Sequence, residues 1–327
     1  MANTLKQISL TCSGHTRPVT HLHFSDITDC GTSFLISACK DGKPMLRFGD
    51  TGDWVGTFEG HKGAVWGVAL NRMATLAASG AADFSAKIWD AISGDEKCNF
   101  QHNHIVKTVA FDEQSLHLLT GSNEKILRVF DLNQPSTNPA IEKYEGHAGA
   151  IKRGFFCRND KCIVSCAEDK AVRIWDRSSG SEVHHIEFKA NPGNIEISHD
   201  GSILTIANGT NISFFEMETF RMIKEIVVPT RIADASVHPD KLTVVCGGED
   251  FKIYKFDYIT GNEIESFKGH FGPVHCISFS PCGELYASGS EDGTLRLWQT
   301  TVGKTHGLWK YIDNAAESET PRELITN

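Results

Sequence analysis

No stretch of this chain approaches the roughly 18 consecutive apolar residues that a membrane-spanning helix requires. The opening residues, MANTLKQISLTCSGH, lack a basic start followed by a long apolar run, so no secretory leader is expected. Positive charge is in deficit: 32 Lys and Arg against 41 Asp and Glu leave a net charge of −9 over 327 residues. That balance argues against a general binder of phosphate backbones. Charge as a whole is too sparse, at 22%, and apolar content too high, at 40%, for a disordered chain. Paired metal-type cysteines are missing too. Of the ten Cys, the closest group is Cys157, Cys162 and Cys166, which has no CxxC pair and no following His pair at ligand spacing. No metal or other cofactor is expected. In a chain without a leader the thiols should stay reduced, in the cytoplasm or nucleus. Cys39, Cys166 and Cys246 then read as small apolar residues in strands, and the sequons at Asn208 and Asn211 should stay unmodified.

What the sequence does contain is a repeat. ASGAADFSAKIWD ending at Asp90, TGSNEKILRVFD at Asp131, SCAEDKAVRIWD at Asp176 and ASGSEDGTLRLWQ at Gln299 share one pattern. Small residues lead into an acidic turn, then alternating apolar positions end on an aromatic. Weaker copies end at Arg47, Phe215 and Asp257. The aromatic place is held by Arg47, Trp89, Phe130, Trp175, Phe214, Phe256 and Trp298, in steps of 42, 41, 45, 39, 42 and 42. The longest step contains DLNQPSTNPA at 131–140, a loop by composition. A second marker, Gly-His, stands at His15, His61, His147 and His270; His102 fills the same place in the third unit, and the fifth and sixth lack it. After each marker come period-two stretches such as AVWGVAL and PVHCISFS, which read as half-buried strands.

Each unit of about four strands cannot bury its apolar face alone, and radial stacking of seven solves this. The markers and their spacing resemble the WD-repeat family. The resemblance implies an all-β, seven-bladed propeller over 1–310, followed by an acidic tail at 311–327. It also implies that an N-terminal strand, expected at 5–11, completes the last blade.

Three units carry a Ser-His-Asp inventory that invites a hydrolase hypothesis: His61, Ser79, Asp83 with Trp89; His147, Ser165, Asp169 with Trp175; His270, Ser288, Asp292 with Trp298. An enzyme needs one such site, whereas this set recurs at blade spacing, without a strained GxSxG turn. The resemblance gives these residues a structural role, a hydrogen-bonded network behind each turn. Loss of Asp292 should then leave His270 short of a partner. No catalytic residue is assigned. Blades five and six, which lack the His, should be held by other contacts or be less rigid.

WD-repeat propellers usually serve as platforms. Two positions per blade point to the face that would dock a partner. One lies five residues after the marker His: Thr20, Trp66, Lys107, Lys152 and His275. The other precedes the turn acid: Lys40, Ala82, Asn123, Glu168, Glu249 and Glu291. The lysines cluster around Trp66 in blades one to four and the acids in blades four, six and seven. Lys40, Trp66, Lys107, Lys152 and His275 are therefore the candidate partner-binding residues; the competing reading packs Trp66 between blades. Phe84, Phe251 and Phe271 stand at turns and read as blade-packing residues. No RGG, RNP or zinc-finger pattern supports direct nucleic-acid binding. A monomeric propeller is expected.

Some segments are more particular: SGHTRP, FLISACKDGKPMLRFGDTGDWVGTFEGHKGAVWG, HIVKTV and GGEDFKIYKFDYITGNEIESFKGH. They resemble one branch of the family, scaffolds that associate with the SMN complex in small nuclear ribonucleoprotein assembly, with TGF-β receptor and Smad binding among vertebrate members. KGHFGPVHCISFSPCGELYASGSEDG also resembles the WD-repeat subunit of a translation initiation factor, the alternative reading.

Overall fold

The computed structural model describes residues 7–133 and 140–303. Within them lie 28 strands and no helix, gathered into seven four-stranded antiparallel sheets. Six sheets follow the chain in order, over 19–57, 65–101, 106–145, 151–187, 192–227 and 232–268. The seventh combines three strands over 274–299 with Leu10–Cys12. The chain is therefore a seven-bladed WD-repeat propeller, as the repeat predicts. The expected tail at 311–327 and the centre of the 131–140 loop fall outside the described residues.

The second strand of each blade shows how the sequence permits radial stacking. Cys162–Ala167 and Leu285–Ser290 are buried at every position, because both faces meet neighbouring blades. Such strands favour small residues, hence AASGA and YASGS. A Cβ added at Gly80 would lie 2.7 Å from Val106 Cγ1, and one at Gly289 only 2.5 Å from Val19 Cγ1. These glycines leave room for the first β-branched residue of the next blade. Seven apolar clusters result, each shared by two successive blades. Cys39, Cys166 and Cys246 are fully buried in their strands, and all ten cysteines are free.

Inner strands are also stitched together by side chains. The Val68 and Leu70 amides donate to His21 and His23 Nδ1, both at 3.2 Å. The Ile277 amide donates to Asp234 at 2.9 Å, the Phe279 amide to Ser236 at 3.0 Å and the Gly154 amide to Thr108 at 3.2 Å.

The ring closes where expected but with different bounds. The paired strand is Leu10–Cys12, not 5–11; Leu10 faces Leu297 and Cys12 faces Leu295. Gln7 adds a bond from Nε2 to the Gln299 carbonyl at 2.8 Å, and Arg296 reaches Ser9 Oγ at 3.0 Å. The strand is set by its alternation: Leu10 and Cys12 join the apolar cluster between blades seven and one. Residues 5 and 6 lie outside the described residues.

Candidate functional site

In blade two the indole of Trp89, which can only donate, gives its N–H to Ser79 Oγ at 2.8 Å. Ser79 therefore directs its own hydroxyl to His61 Nε2 at 2.7 Å, and His61 Nδ1–H donates to Asp83 at 2.9 Å. Asp83 also accepts the Lys62 amide at 2.9 Å. Blade four repeats the chain through Trp175, Ser165, His147 and Asp169 at 2.9, 2.8 and 2.9 Å. Blade seven repeats it through Trp298, Ser288, His270 and Asp292 at 2.7, 2.6 and 3.2 Å. Ser79, Ser165 and Ser288 are fully buried. A serine closed between indole and imidazole offers solvent no nucleophile. One expectation needs adjusting: His270 Nδ1 also lies 3.0 Å from Thr294 Oγ1, so loss of Asp292 would leave it one partner.

The departures have their own logic. In blade three His102 meets Thr120 at 2.9 Å and the Phe100 carbonyl at 3.1 Å, while Glu124 turns instead to Asn103 and Arg128. In blade one His15 bonds Ser37 and Asp41 at 2.8 and 3.0 Å, and buried Arg47 replaces the indole. Arg47 donates to the Ser13 carbonyl and, at 3.1 Å, to that of Gly52. It thus ties blade one to the chain leaving the closing strand, a seam role that sequence reasoning missed. His15, Cys39 and Asp41 place ligand-type atoms within 4.8 Å of one another. Each is engaged in this turn, with the Cys39 thiol donating to the Arg17 carbonyl at 2.9 Å. Blades five and six are held by other contacts: Phe214 meets Tyr258 edge-on at 5.1 Å, and the Lys224 ammonium lies 3.4 Å from the Tyr258 ring centroid.

Burial pushes His270 down to about 4, against the pull of Asp292. Burial, with Arg128 nearby, does the same to His102, also to about 4. Burial lowers His147 despite Asp169. Each folded imidazole takes its proton at lower pH than the free group at 6.5. Between 6.5 and about 4 the unfolded chain therefore holds more protons, and stability falls as pH falls through that window. The inner strands contribute the opposite slope. Glu196 accepts hydroxyls from Ser236 at 2.9 Å and Ser278 at 3.0 Å, spanning three blades. Burial, then Asp234, raises its carboxyl from 4.5 to about 8. The folded chain keeps this proton where the unfolded chain has lost it, so stability from this group declines as pH rises from 4.5 to about 8. Glu196→Gln, which mimics the protonated acid, is expected to gain in melting temperature relative to the parent across that range. Parallel melting curves over the whole span would refute the assignment.

A structural device creates the mouth of the central channel. In every blade the pairing of the first two strands slips once, between Val19 and His21, Val65 and Gly67, Val106 and Thr108, Ile151 and Arg153, Pro192 and Ile195, Ile232 and Asp234, and Val274 and Cys276. A bulge re-aims the residue it leaves unpaired. Those residues, Thr20, Trp66, Lys107, Lys152, Gly193 with Asn194, Ala233 and His275, line one cavity of about 260 Å³ together with Lys40 and Arg153. The five named candidates thus meet at one site. Sequence reasoning missed Arg153, Gly193, Asn194 and Ala233; the last three follow no marker His from which to count.

The ammonium groups of Lys40 and Lys107 stand 5.7 and 5.9 Å from the Trp66 ring centroid. Trp66 is half-buried and lines the cavity. The lysines gather at Trp66 as expected, and the acids stand around them as ion-pair partners. Lys107 pairs with Glu168 at 2.8 Å, Lys40 with Glu291 at 3.5 Å, His275 with Glu291 at 2.5 Å and Arg231 with Glu249 at 3.8 Å. The Lys107–Glu168 and Lys40–Glu291 pairs join adjacent blades, whereas His275–Glu291 and Arg231–Glu249 lie within blades seven and six. The turn phenylalanines are not buried between blades, although Phe84 meets the His104 ring of the next segment at 5.6 Å. Phe84 and Phe251 sit at φ 67° and 70°, a conformation that disfavours a bulky side chain, and are 40% and 41% exposed; Phe271 is 85% exposed.

Comparison with known proteins agrees with this architecture. Residues 261–299 match the WD domain, G-beta repeat family, and residues 59–219 match the nucleolar protein 10-like N-terminal domain. The chain is 58% identical over 308 residues to the serine-threonine kinase receptor-associated protein of Gallus gallus, covering 94% of this chain and 87% of that one. It is 44% identical over 291 residues to the protein of the same name in Dictyostelium discoideum, covering 89% and 98%. Similarity to eukaryotic translation initiation factor 3 subunit I of Culex quinquefasciatus is more distant, 27% over 316 residues. On this identity and its seven-bladed fold, the chain belongs to the serine-threonine kinase receptor-associated protein family of WD-repeat propellers.

Proposed function

We propose that the chain is a non-catalytic scaffold of the cytoplasm and nucleus, and that it associates with SMN complex components during small nuclear ribonucleoprotein assembly. The observation that carries a scaffold role is the 58% identity across the whole propeller to a relative named for association with a receptor. The SMN assignment rests on the segments around Arg47, Trp54 and His270 that resemble SMN-associated scaffolds. Receptor association is the further role that the relative's name suggests; Smad binding rests on the resemblance alone. The channel mouth, with Lys40, Trp66, Lys107, Lys152 and His275, is the docking ground: a half-buried Trp ringed by charge suits a protein partner.

An affinity pull-down followed by mass spectrometry tests this. SMN components and Sm proteins are expected; initiation-factor subunits in their place would favour the alternative. Ester hydrolysis by the purified chain, lost on Ser288→Ala, would overturn the non-catalytic reading. For the mouth itself, the reversal is Lys40→Glu with Lys107→Glu, leaving Lys152, which is largely enclosed and donates to the Pro192 carbonyl at 2.7 Å. Partner recovery should fall at least about tenfold, equivalent to ~1.4 kcal/mol, with the melting temperature held. Undiminished recovery would dismiss the mouth.

A further inference from the structure

The chemistry of the mouth is one-sided. Four cations line the cavity, Lys40, Lys107, Lys152 and Arg153, and no carboxylate does. Two N–H groups there, Trp66 Nε1 and Arg153 Nη1, are buried without an acceptor. Lys152 has only the Pro192 carbonyl, and no carboxylate partner among the described residues. The acids that neutralise Lys40 and Lys107 stand outside the cavity, on exposed side chains of Glu291 and Glu168. A buried donor left unfilled is costly, so an occupant offering an acceptor recovers free energy that an apolar occupant cannot.

We propose that the mouth is a carboxylate-accepting pocket, which captures a partner protein by a single carboxylate inserted among Lys40, Lys107, Lys152 and Arg153 against the Trp66 ring. This deepens the docking reading above and rests on it. Cavity and rim together select one anion and not a string of them. About 260 Å³ holds one acidic side chain or one chain terminus. A second negative charge alongside meets Glu168, Glu249 and Glu291. A nucleic-acid strand, with a charge at every nucleotide, is repelled by that rim where a peptide with one acid among neutral or basic neighbours is not. On entry the carboxylate replaces Glu168 or Glu291 as counter-ion of a rim lysine, so binding is an exchange of ion pairs in a drier place, where charge-assisted hydrogen bonds are stronger.

The test follows the indole N–H signals of the full-length, ¹⁵N-labelled chain, with Trp66 assigned by Trp66→Phe. Four probes are added up to millimolar concentration: a capped Gly-Ser-Gly-Glu-Gly-Ser-Gly peptide, its Gln counterpart, an N-acetylated Gly-Ser peptide whose one charge is its free C-terminal carboxylate, and hexauridylate. The Glu peptide should move the Trp66 signal saturably, the Gln peptide should bind at least about tenfold more weakly, and Lys107→Gln should weaken the Glu peptide. Tighter binding of the free terminus than of internal Glu would support the pocket and assign the carboxylate to a chain end. Equal binding of Glu and Gln peptides, or no movement of Trp66 with any of them, would overturn the proposal, as would tighter binding of hexauridylate. The two readings separate cleanly. If the Lys40→Glu, Lys107→Glu chain loses its partner while no peptide moves Trp66, docking stands and carboxylate capture falls. If the Glu peptide binds while partner recovery survives the reversal, the pocket stands and the docking reading falls.

Discussion

Trp298→Ala is expected to reduce the stability of the propeller by about 3–5 kcal/mol, the usual range for deleting a buried large aromatic. Trp298 is 1% exposed. Its ring stacks on Tyr286 with a 10° interplanar angle and packs on Phe267 at 5.0 Å between centroids. Its N–H starts the chain through Ser288 and His270 to Asp292. The preceding Gly269 exists for this ring: a Cβ there would lie 2.1 Å from Trp298 Cη2. Trp298→Phe separates the two contributions, since it retains much of the packing and strips the donor from Ser288; about 1–3 kcal/mol should be lost. A shift of the urea midpoint at unchanged slope is the measurement. A midpoint equal to the parent's in the Ala variant would mean that the network does not hold the blade.

Deleting residues 1–12 is expected to cost on the order of 3 kcal/mol, from unburying Leu10 and Cys12, with the ladder bonds to Leu295–Gln299 lost as well. The damage is larger than three residues suggest, because they close a ring. Leu295 and Leu297, both fully buried, would become part of an open edge, and an exposed apolar edge strand recruits another chain. Light scattering of the truncated protein should therefore show self-association alongside a lower melting temperature. A truncated chain that stays monomeric and melts with the parent would mean that the ring is held without its closing strand. Arg47 offers a finer probe of the same seam, since its guanidinium grips Ser13 and Gly52 beside the closing strand.

Much of this was written in spacing. The aromatic positions, Gly-His markers and small-residue strands identify seven units because every blade solves the same packing problem in the same way. The bulge residues of five blades could be counted from the marker His for that reason. Blades five and six defeated the count at Gly193, Asn194 and Ala233, where no marker survives to set the register. Phe84 and Phe251 misled for another reason. Apolar identity implies burial, but their positive φ angles turn them out at the turns.

The sequence alone determined the blade number, which follows from local repetition; the networks behind the turns and the ring's closure through its first strand followed from the resemblance to WD-repeat propellers that this repeat carries. Only the tertiary structure decided how charges are distributed at the mouth, what Arg47 does at the seam and that burial raises the Glu196 carboxyl. Those properties depend on groups far apart in the chain and on different blades, such as Lys107 with Glu168 or Glu196 with Ser278. Electrostatic energy follows distance and burial, and neither is encoded in the spacing of a repeat.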